Sequence, residues 1–301
     1  MAMKYKPMLA YPANSKPIDY EKPVFIQAKL DGVRCLIQSE YDETSKSFVV
    51  KAYSRTGKEW KNINHILFNL KGFFELNPDV VLDGELYNHK LKDDFEQIIS
   101  LVRKQKPTDG DRYASEKLVQ FHCYDVIVAT SEMNKVVNEN NDEYSSPSFY
   151  DRNKWIRRNV PNNHVVTHVK TTRVSEIAAK TIHAAHLEWG YEGSIVRLNG
   201  HYQQKRSFNL RKFKDFQDSE AKIIGFVEGV GKRTGTIGKF IAQDDDGNMF
   251  GMPVMDNFVY LKDNFKKMQK WVGKTATFTY FERTKAQSYR HPLFKCIRDY
   301  E

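Results

Sequence analysis

The chain has 301 residues, 40% hydrophobic and 13% aromatic, enough to build the cores of two domains of ordinary size. Charged residues make up 28% and no long stretch lacks apolar residues, which excludes a disordered chain. Lys and Arg outnumber Asp and Glu by 47 to 38; the net charge of +9 suits a polyanionic partner, since each phosphate contact releases condensed counterions, but does not single out nucleic acid. Three scattered cysteines, Cys35, Cys123 and Cys296, form neither a C-x-x-C pair nor a disulfide framework, and read as small core residues in a reducing compartment. No apolar run suits a signal peptide or a membrane span, so an intracellular protein without a membrane partner is expected.

In chain order, residues 1–22 are polar and proline-containing and read as a surface lead-in. Residues 24–30 read as a strand that ends at the turn Asp31-Gly32, and 33–38 and 47–53 as further strands. Residues 60–77 carry Ile63, Ile66, Leu67 and Leu70 at helical spacing. After Pro78, 80–82 reads as a buried strand leading into Asp83-Gly84-Glu85. Helices are expected at 91–104, 150–159 and 173–189, strands at 119–128 and 193–198, and a long polar loop at 130–148. The segment 201–214 holds Lys205, Arg206, Arg211, Lys212 and Lys214 and no acidic residue. The pattern changes near 218. Residues 221–227 and 239–243 alternate as strands, and Asp245-Asp246-Gly247-Asn248 is a hairpin turn signal. A helix at 258–271 and strands at 275–281 and 293–298 follow. Short strands with one helix suit a small OB-type barrel. The expected class is α+β, with domains at 1–217 and 218–301.

Five elements can carry chemistry. In Lys29-Leu30-Asp31-Gly32-Val33-Arg34 a strand delivers a lysine to a glycine turn. A lysine amine is a nucleophile only when deprotonated, against a reference pKa of about 10.4, and burial or nearby cations favour that form. Asp31 could bind a metal or a substrate hydroxyl, and Arg34 could fork onto a phosphate. Alone, the hexapeptide reads equally as a hairpin with surface charges. Ser54-Arg55-Thr56-Gly57-Lys58 is a hydroxyl-capped turn or a phosphate clamp. Leu82-Asp83-Gly84-Glu85-Leu86-Tyr87 and Glu192-Gly193-Ser194-Ile195-Val196-Arg197 each set a carboxylate beside a glycine at an apolar strand. Singly they read as turns; together Glu85 and Glu192 make a Mg²⁺ site, since Mg²⁺ takes few protein oxygens. In Arg211-Lys212-Phe213-Lys214, strand alternation puts Lys212 and Lys214 on one face, where an anion between them would relieve their repulsion.

The order of these elements resembles the covalent nucleotidyltransferase superfamily of polynucleotide ligases and capping enzymes. KLDGVR is similar to its first motif, K-x-D-G-x-R, and SRTGK, LDGELY, FHCYDV, YEGSIVR and LRKFK resemble the later ones, over residues 5–301. Within it, LRKFKDFQDSEAKIIG and the ending from Arg290 to Arg298 resemble a minimal ATP-dependent DNA ligase of the small viral or bacterial kind. The resemblance implies an adenylation domain of antiparallel sheets with flanking helices, then an OB-fold domain, in a monomer that seals nicked duplex DNA. Its cofactors are ATP and Mg²⁺, for which Mn²⁺ can substitute. Lys29 would become Lys–AMP. Gln27 would sit by the adenine edge and Tyr124 would stack on the ring. Arg34 and Arg55 would bind the nick phosphate and nearby sugar. Glu85 would hold the ribose or a metal, and Glu192 a metal. Lys212 and Lys214 would contact the α-phosphate and Arg197 would support the site. Arg290 and Arg298 would approach the pyrophosphate, and Lys205 and Arg206 the DNA. The OB domain shows only a short turn, 228–238, where the best-known small viral type has a DNA-encircling insertion. There Lys232, Arg233 and Lys239 read either as a backbone grip or as a solvated loop. An RNA ligase and a capping guanylyltransferase share the motifs and stand as alternatives.

Overall fold

The computed structural model describes residues 5–92, 94–127, 147–214, 217–281, 283–284 and 287–298. They fall into two compact units, which divide after Lys214 rather than after the expected 217.

The first unit holds two five-stranded sheets. One runs β1-β10-β9-β2-β8, from Leu9–Pro12, Arg206–Phe213, Gly193–Leu198, Val24–Lys29 and Thr171–Arg173. The other runs β4-β3-β5-β6-β7, from Ser47–Tyr53, Val33–Asp42, Val81–Tyr87, Gln120–Ile127 and Val166–His168. Pairing is antiparallel except between β1 and β10 and between β6 and β7, which are parallel. The helices are α1 (Asn64–Leu76), α2 (Phe95–Val102), α3 (Asp109–Leu118), α4 (Phe149–Asn159) and α5 (Glu176–Glu188).

Period-two alternation decides which side chains reach the site. In β2, Val24 and Ile26 join Val196 of β9 and Ala179 of α5 in a small core, which leaves Gln27 and Lys29 on the other face. In β3, Cys35 and Ile37 enter the main core with Leu82 and Leu86 of β5, Phe73 of α1 and Ile98 of α2, which turns Arg34 to the opposite face. Arg34 lies directly across from Glu85. A register shift between Asp83 and Gly84, paired with Asp125 and Cys123, leaves Tyr124 as the extra residue of a bulge.

The second unit is a five-stranded sheet in the order β13-β12-β11-β14-β15 (Met249–Pro253, Ile237–Gln243, Gln217–Glu228, Thr275–Tyr280, Leu293–Ile297). Its outer strands β13 and β15 also approach each other, so the sheet curls as in an OB-type barrel. Ile223, Phe240, Met252 and Phe278 fill it, with Leu261 of α6 (Phe258–Asp263) and Met268 of α7 (Phe265–Gln269).

Several expectations need correction. The lead-in contributes β1, and Met8 is buried beside it. Asp83-Gly84-Glu85 lies inside β5 rather than in a turn, because β3 and β6 pair with it on both sides. The strand expected at 33–38 runs on to Asp42 because β4 pairs along its whole length. Helix α3 was not foreseen; Thr108 and Asp111 cap it reciprocally. The single helix at 258–271 is two, broken at Asn264. Strands β7, β8 and β13 are too short or too polar to show periodicity. The loop at 130–148, but for its last two residues, lies outside the described residues.

Two guanidinium groups meet Asp125, which has no exposed surface. Arg152 of α4 donates Nε to Oδ1 at 2.7 Å and Nη2 to Oδ2 at 3.2 Å, and Arg197 of β9 donates Nη1 to Oδ2 at 2.6 Å. Burial alone would raise the Asp125 pKa, but the two guanidiniums hold it below the usual carboxylate range. This cluster joins β6 of one sheet to β9 of the other. Replacing the carboxylate leaves two buried cations uncompensated, so Asp125→Ala is expected to cost about 3–5 kcal/mol of stability. Denaturant unfolding of the two proteins measures it.

Candidate active site

Between the two sheets lies a cavity of about 240 Å³. It brings together Gln27, Lys29, Arg34, Arg55, Glu85, Tyr124, Arg197 and Lys212, eight of the residues singled out in the sequence. Leu9, Ala10, Ile195 and Leu210 supply apolar wall. A larger cavity of about 600 Å³ shares Arg34, Arg55 and Glu85 with it and adds Lys58, Trp60 and Arg103. A third, of about 640 Å³, shares Leu9 and Arg55 and adds Lys6, Gln204 and Lys205. Arg55 thus faces all three. The turn that presents it closes with the Gly57 N–H on the Ser54 carbonyl at 2.9 Å, and the Ser54 hydroxyl accepts from the Lys58 N–H at 3.0 Å.

The lysines converge on Glu192. Its Oε1 accepts from Lys214 Nζ at 2.6 Å, and its Oε2 from Lys29 Nζ. The Glu192 N–H donates to the Lys29 carbonyl at 3.1 Å, which fixes the two backbones together. Gly193 follows with φ 140°, and a Cβ there would collide with the Phe213 carbonyl, so only glycine brings Glu192 this close to Lys214. Burial works to raise the Glu192 pKa, yet the two ammonium groups hold it below its ordinary value. Lys212 is pushed down by burial, then by Lys29 and Arg206. Behind Glu192, the buried Ser194 hydroxyl lies 3.0 Å from His183 Nδ1 and 2.8 Å from His186 Nδ1, tying α5 to β9. Motif reading gave the two histidines no role, because they stand on α5, just outside the YEGSIVR motif that holds Ser194.

On the facing sheet, Glu85 accepts a hydrogen bond from the Tyr124 hydroxyl at 3.2 Å. Burial pushes the Glu85 carboxyl up to about 7, although Arg34 and Lys29 pull the other way. The Arg34 guanidinium closes on Asp83, with Nε–Oδ1 at 2.6 Å and Nη2–Oδ2 at 2.5 Å, because so enclosed a guanidinium needs a partner. Asp83 also accepts from the Tyr202 hydroxyl at 2.7 Å. Gln27 is likewise committed inside the protein: its Oε1 accepts from Arg197 Nε at 2.6 Å, and its Nε2 donates to Thr171 Oγ1 at 2.8 Å. Asp83, Asp125, Arg152, Thr171 and Tyr202 are the supports that motif reading left without a role.

Other expected residues stand elsewhere. Asp31 is half-buried and lines none of the three cavities. Arg206 is exposed over the Tyr11 ring, 5.6 Å from its centroid. Lys232 and Arg233 belong to a turn of the second unit, Arg290 lies over Phe281 there, and Arg298 pairs with Glu220. Among the described residues, no group of three or more His, Cys, Asp or Glu forms a ready-made metal cage.

Comparison with known proteins agrees with this geometry. A family model described as an ATP-dependent DNA ligase domain matches residues 7–214. The DNA ligases of Enterobacteria phages T4 and T6 are 24% and 23% identical over 229 residues, which cover 67% of the chain and 46% of each phage protein. The chain therefore spans about half the length of these relatives. A solved structure from work on DNA binding with a minimal scaffold by Lig E DNA ligases superposes with a TM-score of 0.73 at 21% identity, over 98% of this chain and all of that one.

Glu85 gives a pH test of the site as built. A carboxyl with a folded pKa near 7, against 4.5 ordinarily, binds its proton more tightly when folded. Its contribution to stability is complete below pH 4.5 and is lost as pH rises through 7. Glu85→Gln is expected to flatten the decline in the denaturation midpoint over that window. Parallel curves for the two proteins would refute the assignment.

Proposed function

Because the chain belongs to the ATP-dependent DNA ligase family, we propose that it acts as a monomer to seal 3′-hydroxyl/5′-phosphate nicks in duplex DNA, through AMP held covalently on Lys29. One observation carries this reading: a single cavity gathers Lys29, Tyr124, Glu85, Arg197 and Lys212 from two sheets.

The adenine would lie against Tyr124, whose hydroxyl is anchored on Glu85. Lys29 Nζ would attack the α-phosphorus of ATP; a P–N bond forms and the P–O bond to pyrophosphate breaks. The Lys29 proton must leave first, and Glu192 is the carboxylate in contact with it. Lys212 and Lys214 would offset charge on the phosphoryl oxygens. An oxygen of the 5′-phosphate at the nick would then attack the AMP phosphorus, so that a P–O–P bond forms while the P–N bond breaks and frees the Lys29 amine. The 3′-hydroxyl would attack the phosphorus of the 5′-phosphate, losing its proton; the phosphodiester P–O bond forms, the bond to AMP breaks and AMP leaves. Positioning and charge neutralisation dominate such transfers, which explains a site rich in cations with one nucleophile. Arg55, Lys205 and Arg206 would meet the DNA backbone. Arg34, its fork held by Asp83, would hold Tyr124 and Glu85 in place, and Gln27 would do the same for Arg197.

Glu192 and Glu85 fit Mg²⁺ as partial ligands. Glu192 is an ionised carboxylate already matched to cations, and two protein carboxylates suit an ion whose other oxygens come from phosphates and water. When bound, that ion supplies charge neutralisation to the phosphates.

Incubation with α-³²P-ATP or α-³²P-GTP and Mg²⁺, followed by a denaturing gel, tests the reading. Label from ATP alone, lost in Lys29→Ala, is expected. Label from GTP would indicate capping chemistry. Sealing of nicked RNA in preference to nicked DNA would indicate an RNA ligase.

A further inference from the structure

Glu192 reaches the lysines from just outside its strand. In β9, Ile195 and Arg197 line the cavity, whereas Ser194 and Val196 face α5, where Val196 packs with Ala179 and Ser194 meets His183 and His186. Strand alternation continued back by two residues would carry Glu192 to the α5 face as well. It turns instead to Lys29 and Lys214, because Gly193 stands between it and Ser194 with φ 140°. The aim of Glu192 is therefore set at a glycine, the residue with the freest backbone, and has to be held from both sides.

His186 holds both sides. After the glycine, its Nδ1 lies 2.8 Å from the Ser194 hydroxyl. Before it, the His186 carbonyl accepts from the Tyr191 N–H at 2.9 Å, and the two rings meet edge-on with centroids 5.7 Å apart. The Tyr191 ring also lies 4.5 Å from that of His89, just beyond β5, the strand that carries Glu85. Ser194 has no exposed surface and His186 is buried, and polar groups so enclosed need partners. The hydroxyl has one proton, so it donates to one of the two imidazoles and accepts from the other. Burial, then His183 and Lys170, push His186 down to about 4, which keeps the ring neutral beside a site already rich in cations. We propose that His186 is a positioning residue for lysine adenylation: by bracketing Gly193 it fixes the Glu192 carboxylate against Lys29 Nζ. The proposal rests on the reading of Lys29 as the nucleophile, and His186 acts through Glu192 rather than by touching ATP.

Single-turnover formation of Lys–AMP, followed by rapid quench over a range of ATP concentrations, tests this. His186→Leu and Ser194→Ala are each expected to lower the rate at saturating ATP about tenfold and to leave the half-saturating ATP concentration within about twofold. His186→Asn, whose amide reaches the place of Nδ1, should recover most of the loss. The double variant His186→Leu/Ser194→Ala should be no slower than the slower single variant, since both changes cut one link. Ser194→Ala, the smaller change, carries the test should His186→Leu fail to fold. Wild-type saturating rates in the single variants overturn the proposal, as does a loss confined to the half-saturating ATP concentration, or an Asn variant as slow as the Leu one. Absence of Lys–AMP on the wild-type protein would instead overturn the reading of Lys29.

Discussion

Asp125 is the fixed point of the first unit. One carboxylate with no solvent contact holds guanidiniums from α4 and from β9, so a helix and both sheets share one buried charge cluster. Arg197 then passes the constraint on: the same guanidinium donates to Gln27 on β2, two residues before Lys29. Tyr124 precedes Asp125 directly, and the bulge that buries the carboxylate also turns the tyrosine into the cavity. A buried pair of this kind contributes little net stability, because desolvation consumes most of the attraction. What it contributes is geometry: a cluster that tolerates no loose partner positions the cavity wall on both sides.

The charges around Lys29 follow a second logic. Three lysines are gathered with one carboxylate, Glu192, which two of them share. An unliganded pocket of cations would repel itself, and Glu192 relieves that repulsion. A polyphosphate entering the cavity offers the lysines more negative charge than one carboxylate does, so substrate would redistribute these contacts rather than create them. Glu85, across the cavity, has the opposite character: its burial outweighs its cations, and it holds its proton to about pH 7. Two carboxylates of one site are thus pushed apart in pKa by their surroundings alone.

Much of the strand pattern was legible because β2, β4, β6 and β9 are short runs rich in β-branched and aromatic residues bounded by polar turns. Lys29 was legible from its strand end before the Asp31-Gly32 turn, whereas Gln27, Tyr124 and Arg197, which lie within strands, were legible only through the family resemblance. Arg34 and Gln27 line the cavity, and the structure adds their partners within the protein: Asp83 for Arg34, and Arg197 and Thr171 for Gln27. Sequence cannot show this, because a guanidinium that binds phosphate and one that braces a wall are the same residue in the same motif. Helix α3, capped by Thr108 and Asp111, carries few apolar residues and so gave no periodic signal.

By itself, the sequence determined the family resemblance: a lysine at a strand end, carboxylates beside glycines and a basic segment stand in the order of the ligase motifs, and the chemistry expected of them follows from that resemblance. It also determined the change of architecture after the first unit, since strand periodicity and the Asp-Gly hairpin signal are local. Only the tertiary structure decided which charges are partners. Asp125 meets Arg152 and Arg197 across 27 and 72 residues, and Lys29 meets Glu192 across 163. Those pairings depend on which sheet faces which, and that is settled by burial of the whole apolar surface rather than by any segment of the chain.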